Sequence, residues 1–168
     1  RIAHNRFKYV GRIEDAGTGL VDGCCVIYQS ADQTRPISDI LIDGNVAQDV
    51  LRGFWAESNA TDRESRQVVI SNNYIRNGVE GKTAAYVEPL GYGKCAIGLI
   101  GVQNAVITGN SIKNIGNFTH VGSDSAGIIV SSSGNKNLLI ANNMISDDTG
   151  DADRTKNCID IRSGGEGI

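Results

Sequence analysis

The chain has 168 residues, a formal net charge of −3 and 40% hydrophobic residues, with 21 glycines and only two prolines. This length suits one domain, and the composition favours a β-rich, turn-rich fold over a disordered chain. Acidic and basic residues are interspersed without a basic patch, so we expect no nucleic-acid partner. The apolar runs are too short to cross a membrane, so no membrane partner is expected either.

From the first residues onward, an asparagine recurs with an isoleucine three positions before it. The clearest copies read VVISNNYIRN, AVITGNSIKN and LLIANNMISD. The five asparagines are Asn5, Asn45, Asn73, Asn110 and Asn143, at spacings of 28 to 40 residues. Repeats of this length cannot bury an apolar face alone, so they are expected to stack on one another.

Each asparagine lies between two short runs of β-forming residues. Glycine or asparagine precedes it in four copies: Gly44, Asn72, Gly109 and Asn142. The pattern predicts a strand, a tight corner in left-handed conformation, and a second strand. A third apolar strand follows at 53–58, 95–101, 126–133 and 157–163. Its alternation predicts these inward side chains: Phe54, Ala56, Ile97, Leu99, Ile128, Val130, Ile159 and Ile161.

Three strands and three corners per repeat make one turn of a parallel β-coil. Stacked coils would place equivalent residues about 4.8 Å apart along the axis. The five asparagines, which we call the asparagine ladder, would then lie inside one corner and bond one another and the turn backbone. We therefore expect Asn73, Asn110 and Asn143 to be buried.

The I-x-x-N-x-(I/F) unit and the GIIVSSS-like strand that follows it resemble the right-handed parallel β-helix repeat of pectate-lyase-like proteins and phage tailspikes. The resemblance covers nearly the whole chain. It implies an all-β fold, a single-stranded right-handed parallel β-helix of about five coils forming one domain over residues 1–168. The WIDH and RxPxxR segments of pectate lyases, the GHG segment of polygalacturonases and the DPH segment of mannuronan epimerases are absent from the sequence. The resemblance therefore implies a scaffold and transfers no catalytic residue.

Neither end of the repeat pattern carries a predicted cap. Ile2 already lies inside a strand, and no amphipathic helix follows Arg162. Because repeat stacks need capping units, we expect the chain to be a segment of a larger protein. The resemblance further implies a polysaccharide partner and an extracellular, cell-surface or virion location.

The outward face of the third strand is the predicted site, because long variable connections lead into it and such loops often carry function. The predicted substrate-binding residues are Trp55, Ser131 and Arg162. The candidate catalytic acids are Glu57 and Asp160 on this face and Glu88 and Asp124 in the loops. Glu57 and Asp160 are three coils apart, roughly 14 Å, so a loop acid would have to complete a pair within about 5–10 Å.

Trp55 leaves two alternatives open. An exposed indole beside carboxylates suits stacking on a sugar ring. A neighbouring loop that covers the indole would instead make Trp55 part of the packing.

Two functions follow from this pattern. The first is a carbohydrate-recognising module that processes polysaccharide, a lyase or glycoside hydrolase similar to a tailspike depolymerase. The alternative is a non-catalytic structural or adhesive β-helix of a fibre or surface protein. No cofactor is expected, apart from a candidate Ca²⁺ site in the acidic segment 147–153. The four cysteines lack metal-binding spacing and are expected to be buried small hydrophobes.

An apolar residue stands four positions before most ladder asparagines. If the isoleucines point inward, these residues point outward and form a stripe along the axis, which we call the apolar stripe: Leu41, Val69, Val106 and Leu139. A stripe of this length needs covering. The sequence predicts contact with another part of the parent chain or with a neighbouring subunit, and the resemblance to tailspikes favours a homotrimer.

Overall fold

The computed structural model describes residues 1–8, 24–30, 38–48, 50, 52–58, 65–76, 95–114, 126–131, 135–147 and 157–162. All the regular elements within these ranges are β-strands. No helix with the length and hydropathy of a membrane span is found in these ranges.

The strands form three parallel sheets, and the chain visits the three sheets in a fixed order. Sheet A contains β1 (Ile2–Ala3), β4 (Ser38–Asp43), β7 (Ser65–Ser71), β10 (Val102–Gln103), β11 (Val106–Thr108) and β14 (Leu139–Ala141). Sheet B contains β2 (Arg6–Lys8), β5 (Val46–Gln48), β8 (Tyr74–Arg76), β12 (Ser111–Lys113) and β15 (Met144–Ser146). Sheet C contains β3 (Cys24–Ser30), β6 (Arg52–Ser58), β9 (Cys95–Ile100), β13 (Ala126–Ser131) and β16 (Asn157–Arg162). This all-β arrangement is compatible with the predicted parallel β-helix.

The strand register follows the alignment of the repeats. In sheet A, Ile70 pairs with Ile42 and Ile107, and Ile107 pairs with Ile140. We call a set of residues paired in this way across a sheet a row. The largest fully buried side chains come from such rows in all three sheets: Phe54, Ile42, Ile70, Ile75, Ile97, Leu99, Ile107, Ile112, Ile128 and Ile129. β-Branched side chains pack well on a pleated surface, which explains the predominance of isoleucine.

The last repeat is less buried than the sequence predicts. Ile159 and Ile161 pair with Ile128 and Val130 as expected, yet they are 42% and 48% exposed. The reason is that β16 stands at the edge of sheet C and pairs with β13 alone among the described strands. The inward direction of these side chains follows the pattern, but the burial expected of a central strand is absent.

The corner between sheets A and B has the predicted left-handed backbone. The residue before each ladder asparagine has a φ between +54° and +66°: His4, Gly44, Asn72, Gly109 and Asn142. A second left-handed set, which the sequence did not reveal, lies along sheet A: Asp39, Gln67, Asn104 and Asn137, with φ from +53° to +58°. Most of these residues are types that tolerate this conformation.

The ladder asparagines are bonded as expected. Asn45, Asn73 and Asn110 are at most 1% exposed, whereas Asn143 in the last repeat is half-buried instead of buried. Asn73 donates from its backbone N–H and from Nδ2 to Oδ1 of Asn110, at 3.0 and 2.9 Å. Two hydrogen bonds are accepted in this way by Oδ1 of Asn45, Asn73, Asn110 and Asn143, and the buried amides satisfy one another.

The cysteines only partly follow the expectation of burial. Cys95 is buried, Cys25 is half-buried and Cys158 is exposed on the edge strand β16. Burial raises the pKa of the Cys25 thiol to about 12, so this thiol stays protonated near neutral pH.

Candidate functional site

Two adjacent rows on the outer face of sheet C carry the predicted site residues. The first row contains Trp55, Gly98, Ile129 and Asp160. The second row contains Glu57, Ile100, Ser131 and Arg162. Ser131 is the last residue of β13, and Arg162 is the last residue of β16. Glu88, Asp124 and most of the acidic segment 147–153 lie outside the described residues.

Trp55 is packed away from solvent. Its side chain is 4% exposed and belongs to an apolar cluster on the outer face of sheet C with Cys95, Ile100, Ala126 and Ile129. The indole lies over Gly98, where an alanine methyl group would come within 2.1 Å of Cε3. The indole is therefore part of the packing instead of exposed for stacking on a sugar ring, and Gly98 provides the room for it; the loops predicted to cover Trp55 lie outside the described residues.

Glu57 has a fixed direction because of Trp55. The indole Nε1–H donates to Oε2 of Glu57 at 2.9 Å, and the Glu57 side chain is half-buried. A hydrogen bond to a carboxylate is stronger than one between neutral groups. The packed indole thus holds a carboxylate at the surface with limited rotational freedom.

Asp160 is not brought near Glu57. It is half-buried and stands in the neighbouring row, three strands farther along sheet C. Three strand spacings correspond to roughly 14 Å, beyond the range of a direct acid pair in glycoside hydrolysis. Among the described residues, no three His, Cys, Asp or Glu side chains are grouped so that they could hold a metal ion.

A polar cluster at the corner of sheets A and B was missed by the sequence analysis. The carboxylate Oδ1 of Asp43 accepts hydrogen bonds from Oγ of Ser71 at 2.8 Å and from Nδ2 of Asn72 at 3.0 Å. Its Oδ2 lies 4.0 Å from the guanidinium of Arg1. The imidazole of His4 covers Gly44 beside this carboxylate. Aligning the positions two before each ladder asparagine would have placed Asp43 next to Ser71.

Asp43 has a pKa below its ordinary value. The hydrogen bond from Ser71 is the largest cause, followed by the hydrogen bond from Asn72, with smaller effects of His4 and Arg1. Partial desolvation acts in the opposite direction. The ionised form is therefore favoured in the folded protein.

The pH dependence of stability should reflect this carboxylate. Because its pKa is lower in the folded than in the unfolded state, its stabilisation is present above the unfolded-state pKa and is lost as the pH falls through the folded-state pKa. We expect Asp43→Asn to remove part of the stability loss seen on acidification below about pH 4. Urea titrations of both proteins between pH 2 and pH 7 measure this. Ser71→Ala should reduce the same pH dependence, and identical curves for all three proteins would contradict the assignment.

The apolar stripe has the predicted register. Leu41 pairs with Val69, Val69 with Val106, and Val106 with Leu139. The first three side chains are half-buried, and Leu139 is 55% exposed. An apolar row thus runs along the outer face of sheet A.

Searches against protein-family models, curated proteins and solved structures returned no match to this chain.

Proposed function

We propose that the chain is a single right-handed parallel β-helix of about five coils that serves as a carbohydrate-recognising module. The three sheets visited in fixed order and the bonded asparagine ladder support the helical arrangement. Its right-handed sense follows the general preference for right-handed crossovers between parallel strands. Recognition is assigned to the outer face of sheet C near Glu57.

The Trp55–Glu57 hydrogen bond is the observation on which carbohydrate recognition rests. A half-exposed carboxylate can accept hydrogen bonds from two neighbouring sugar hydroxyls, and a fixed carboxylate loses less conformational entropy on binding. With the indole buried, Trp55 acts here as a positioning residue, and sugar recognition depends on hydrogen bonding in place of stacking. The expected partner is a polysaccharide.

Polysaccharide cleavage would require a second group beside Glu57. A glycoside hydrolase needs another carboxyl group, and a lyase needs a base and a cation. Glu88 is the candidate partner of Glu57, and Asp124 is the candidate partner of Asp160. Recognition without cleavage needs neither partner.

Binding to a polysaccharide panel tests the proposed site. We expect Glu57→Gln to weaken binding by about tenfold, the equivalent of one hydrogen bond of about 1.4 kcal/mol to a charged group. Trp55→Phe should weaken binding less, because it keeps an aromatic ring in the cluster and the Glu57 carboxylate itself, and it removes the indole N–H that orients this carboxylate. Ser38→Ala, on an exposed part of sheet A, is the matched control. Equal binding by Glu57→Gln and the unmodified protein would reject this face.

A structural or adhesive module is the second candidate. The buried cluster around Trp55 favours it, because this part of the outer face is packed with apolar side chains. A rigid rod needs only the ladder and the buried isoleucine rows. If no polysaccharide binds, this function replaces carbohydrate recognition.

The apolar stripe is proposed as a side-by-side contact, with another part of the parent chain or in a homotrimer. Burying its half-exposed side chains would remove apolar surface from water. We expect Val69→Lys, in the middle of the stripe, to reduce the mass measured by light scattering to that of a monomer. Ser38→Lys adds the same charge elsewhere and should leave the mass unchanged. A monomeric parent chain with the stripe bare would contradict the proposed contact.

A further inference from the structure

The outer face of sheet B carries a basic row that was missed by the sequence analysis. Successive partners across the sheet are Lys8, Gln48, Arg76, Lys113 and Ser146. Acidic residues occur in every stretch of sequence between them, so no basic patch is visible along the chain. Pairing of the repeats brings residues from distant parts of the sequence into one row and places cationic side chains of neighbouring strands side by side.

Arg76 and Lys113 are the central pair of this row. They are direct partners on β8 and β12, and adjacent strands are about 4.8 Å apart. In each strand the middle residue, Ile75 or Ile112, is buried, and its two neighbours are half-buried. Because side chains alternate along a strand, Arg76 and Lys113 point to the outer face. β8 and β12 are internal strands of sheet B, with a described strand on each side.

The surroundings of this pair favour a bound anion. Two positive charges at this separation repel each other. Nε of Arg76 is buried and has no hydrogen-bond partner among the described residues, and a buried donor without an acceptor is rare in folded proteins. The outward positions of the neighbouring strands carry no carboxylate: Val46, Gln48, Tyr74, Ser111, Met144 and Ser146. An anion would reduce the repulsion and supply an acceptor.

Two hydroxyl groups stand beside the two cations. Tyr74 and Ser111 are direct partners, two positions before Arg76 and Lys113, and both are half-buried. Residues two apart on a strand are separated by roughly 6.6 Å. The four positions therefore form a rectangle of about 5 by 7 Å on the outer face of sheet B, and each side chain carries an N–H or O–H donor.

We propose that Tyr74, Arg76, Ser111 and Lys113 form a binding site for a tetrahedral oxyanion, a sulfate or phosphate group. Hydrogen bonds from a guanidinium or an ammonium to such a group are charge-assisted and therefore strong. A carboxylate can be satisfied by one arginine through two parallel hydrogen bonds, whereas four donor side chains from two strands suit a group with more oxygens. Side-chain rotations are common on binding, and a rotation of the guanidinium would bring Nε to an acceptor.

The oxyanion site is separate from the proposed carbohydrate face. Glu57 lies on sheet C, whereas the four donor residues lie on sheet B. The oxyanion has two sources, a free inorganic ion or an ester on a polymer, and both present the same terminal oxygens. Since inorganic ions serve as the first probes, the oxyanion site can be confirmed or rejected whatever the outcome of the polysaccharide panel.

Chemical-shift titration of the isotope-labelled protein with sodium sulfate and with sodium phosphate measures binding. We expect saturable shifts at the amides of Tyr74–Arg76 and Ser111–Lys113, and no saturable shift with sodium chloride at equal ionic strength. Arg76→Gln and Lys113→Gln should each weaken binding at least tenfold, because each removes a charge-assisted donor. Tyr74→Phe should weaken it about threefold, since it removes a neutral donor. Lys136→Gln, which removes the same charge beside β10 of sheet A, is the matched control.

Dextran sulfate and uncharged dextran distinguish the two sources of the oxyanion. If dextran sulfate binds at a lower concentration of sulfate groups than inorganic sulfate, and dextran does not bind, the site takes an ester on a polymer. If the affinity per sulfate group is equal, the site takes the free ion. Arg76→Gln should weaken binding of either source, so both results support the site.

Two results would overturn the proposal. One is that sulfate and phosphate shift the amides of Tyr74–Arg76 and Ser111–Lys113 no more than chloride does. The other is that Arg76→Gln and Lys113→Gln bind these ions as tightly as Lys136→Gln does. Circular dichroism verifies that each variant keeps its strand content. Should Arg76→Gln lose strand content, Lys113→Gln decides alone, and unchanged affinity in that variant would reject the site.

Discussion

Asn110→Ala is expected to lower the free energy of unfolding by about 3 kcal/mol, the upper end of the penalty for leaving buried polar groups without partners. The Asn110 carboxamide accepts two hydrogen bonds from Asn73 and donates to Asn143 and to the carbonyls of Ile70 and Thr108. Alanine leaves the backbone N–H of Asn73 without its acceptor at a site that is 1% exposed, and Nδ2 of Asn73 keeps only its bond to the carbonyl of Ile42. Equilibrium unfolding in urea, followed by circular dichroism, measures the change.

Ser111→Ala is the matched control for this substitution. Ser111 follows Asn110 directly, begins β12 and is half-buried. Its loss should change stability by no more than about 0.5 kcal/mol. If Asn110→Ala lowered the free energy of unfolding no more than Ser111→Ala does, the ladder would contribute little to stability, and the buried isoleucine rows would be the main source of it.

Gly53→Ala is expected to destabilise the protein by about 1–3 kcal/mol through overpacking. An alanine methyl group at this position would lie 2.3 Å from the carbonyl oxygen of Ala96 and 3.2 Å from Cγ2 of Ile75. The first obstacle is backbone in the next strand of sheet C, which cannot move aside without disturbing the pairing of β6 and β9. The second is a side chain that is completely buried.

Ala96→Gly is the control that distinguishes this clash from a general sensitivity to substitution in the row that contains Gly53 and Ala96. Phe54 pairs with Ile97, so Gly53 and Ala96 are equivalent positions in successive repeats. Removing the Ala96 methyl group should cost only roughly 0.5–1 kcal/mol, the usual effect of glycine within a strand. Thermal unfolding of both variants tests the comparison. A Gly53→Ala protein as stable as the unmodified chain would show that β6 can shift relative to β9.

Gly53→Ala should also affect the proposed carbohydrate site indirectly. Gly53 begins the segment of β6 that carries Trp55 and Glu57, and the direction of the Glu57 carboxylate depends on the packing of the indole over Gly98. A shift of β6 would therefore change the surface presented to a ligand. Binding by Gly53→Ala should weaken even under conditions where the variant remains folded.

The repeat in the sequence was sufficient to predict the strands, the corner and the ladder. Each ladder asparagine has an isoleucine three positions earlier, and identical residues at one repeat position must meet when parallel strands stack. The left-handed conformation of Gly44, Asn72, Gly109 and Asn142 followed from residue type, because few residue types tolerate it. These features depend on local backbone preferences and on a periodic pattern, and the amino-acid sequence specifies both.

The tertiary structure alone decided which polar and aromatic groups are neighbours. Alternation predicted that Trp55 points outward, but its burial depends on the absence of a side chain at Gly98, a repeat away. Asp43 and Ser71 are 28 residues apart, and their hydrogen bond exists only because β4 and β7 pair in this register. Burial of Ile159, Ile161 and Asn143 likewise depends on a neighbouring strand, because a side chain at the edge of a sheet is covered on one side only. Contacts between distant repeats depend on side-chain size and on strand neighbours, and periodicity specifies neither.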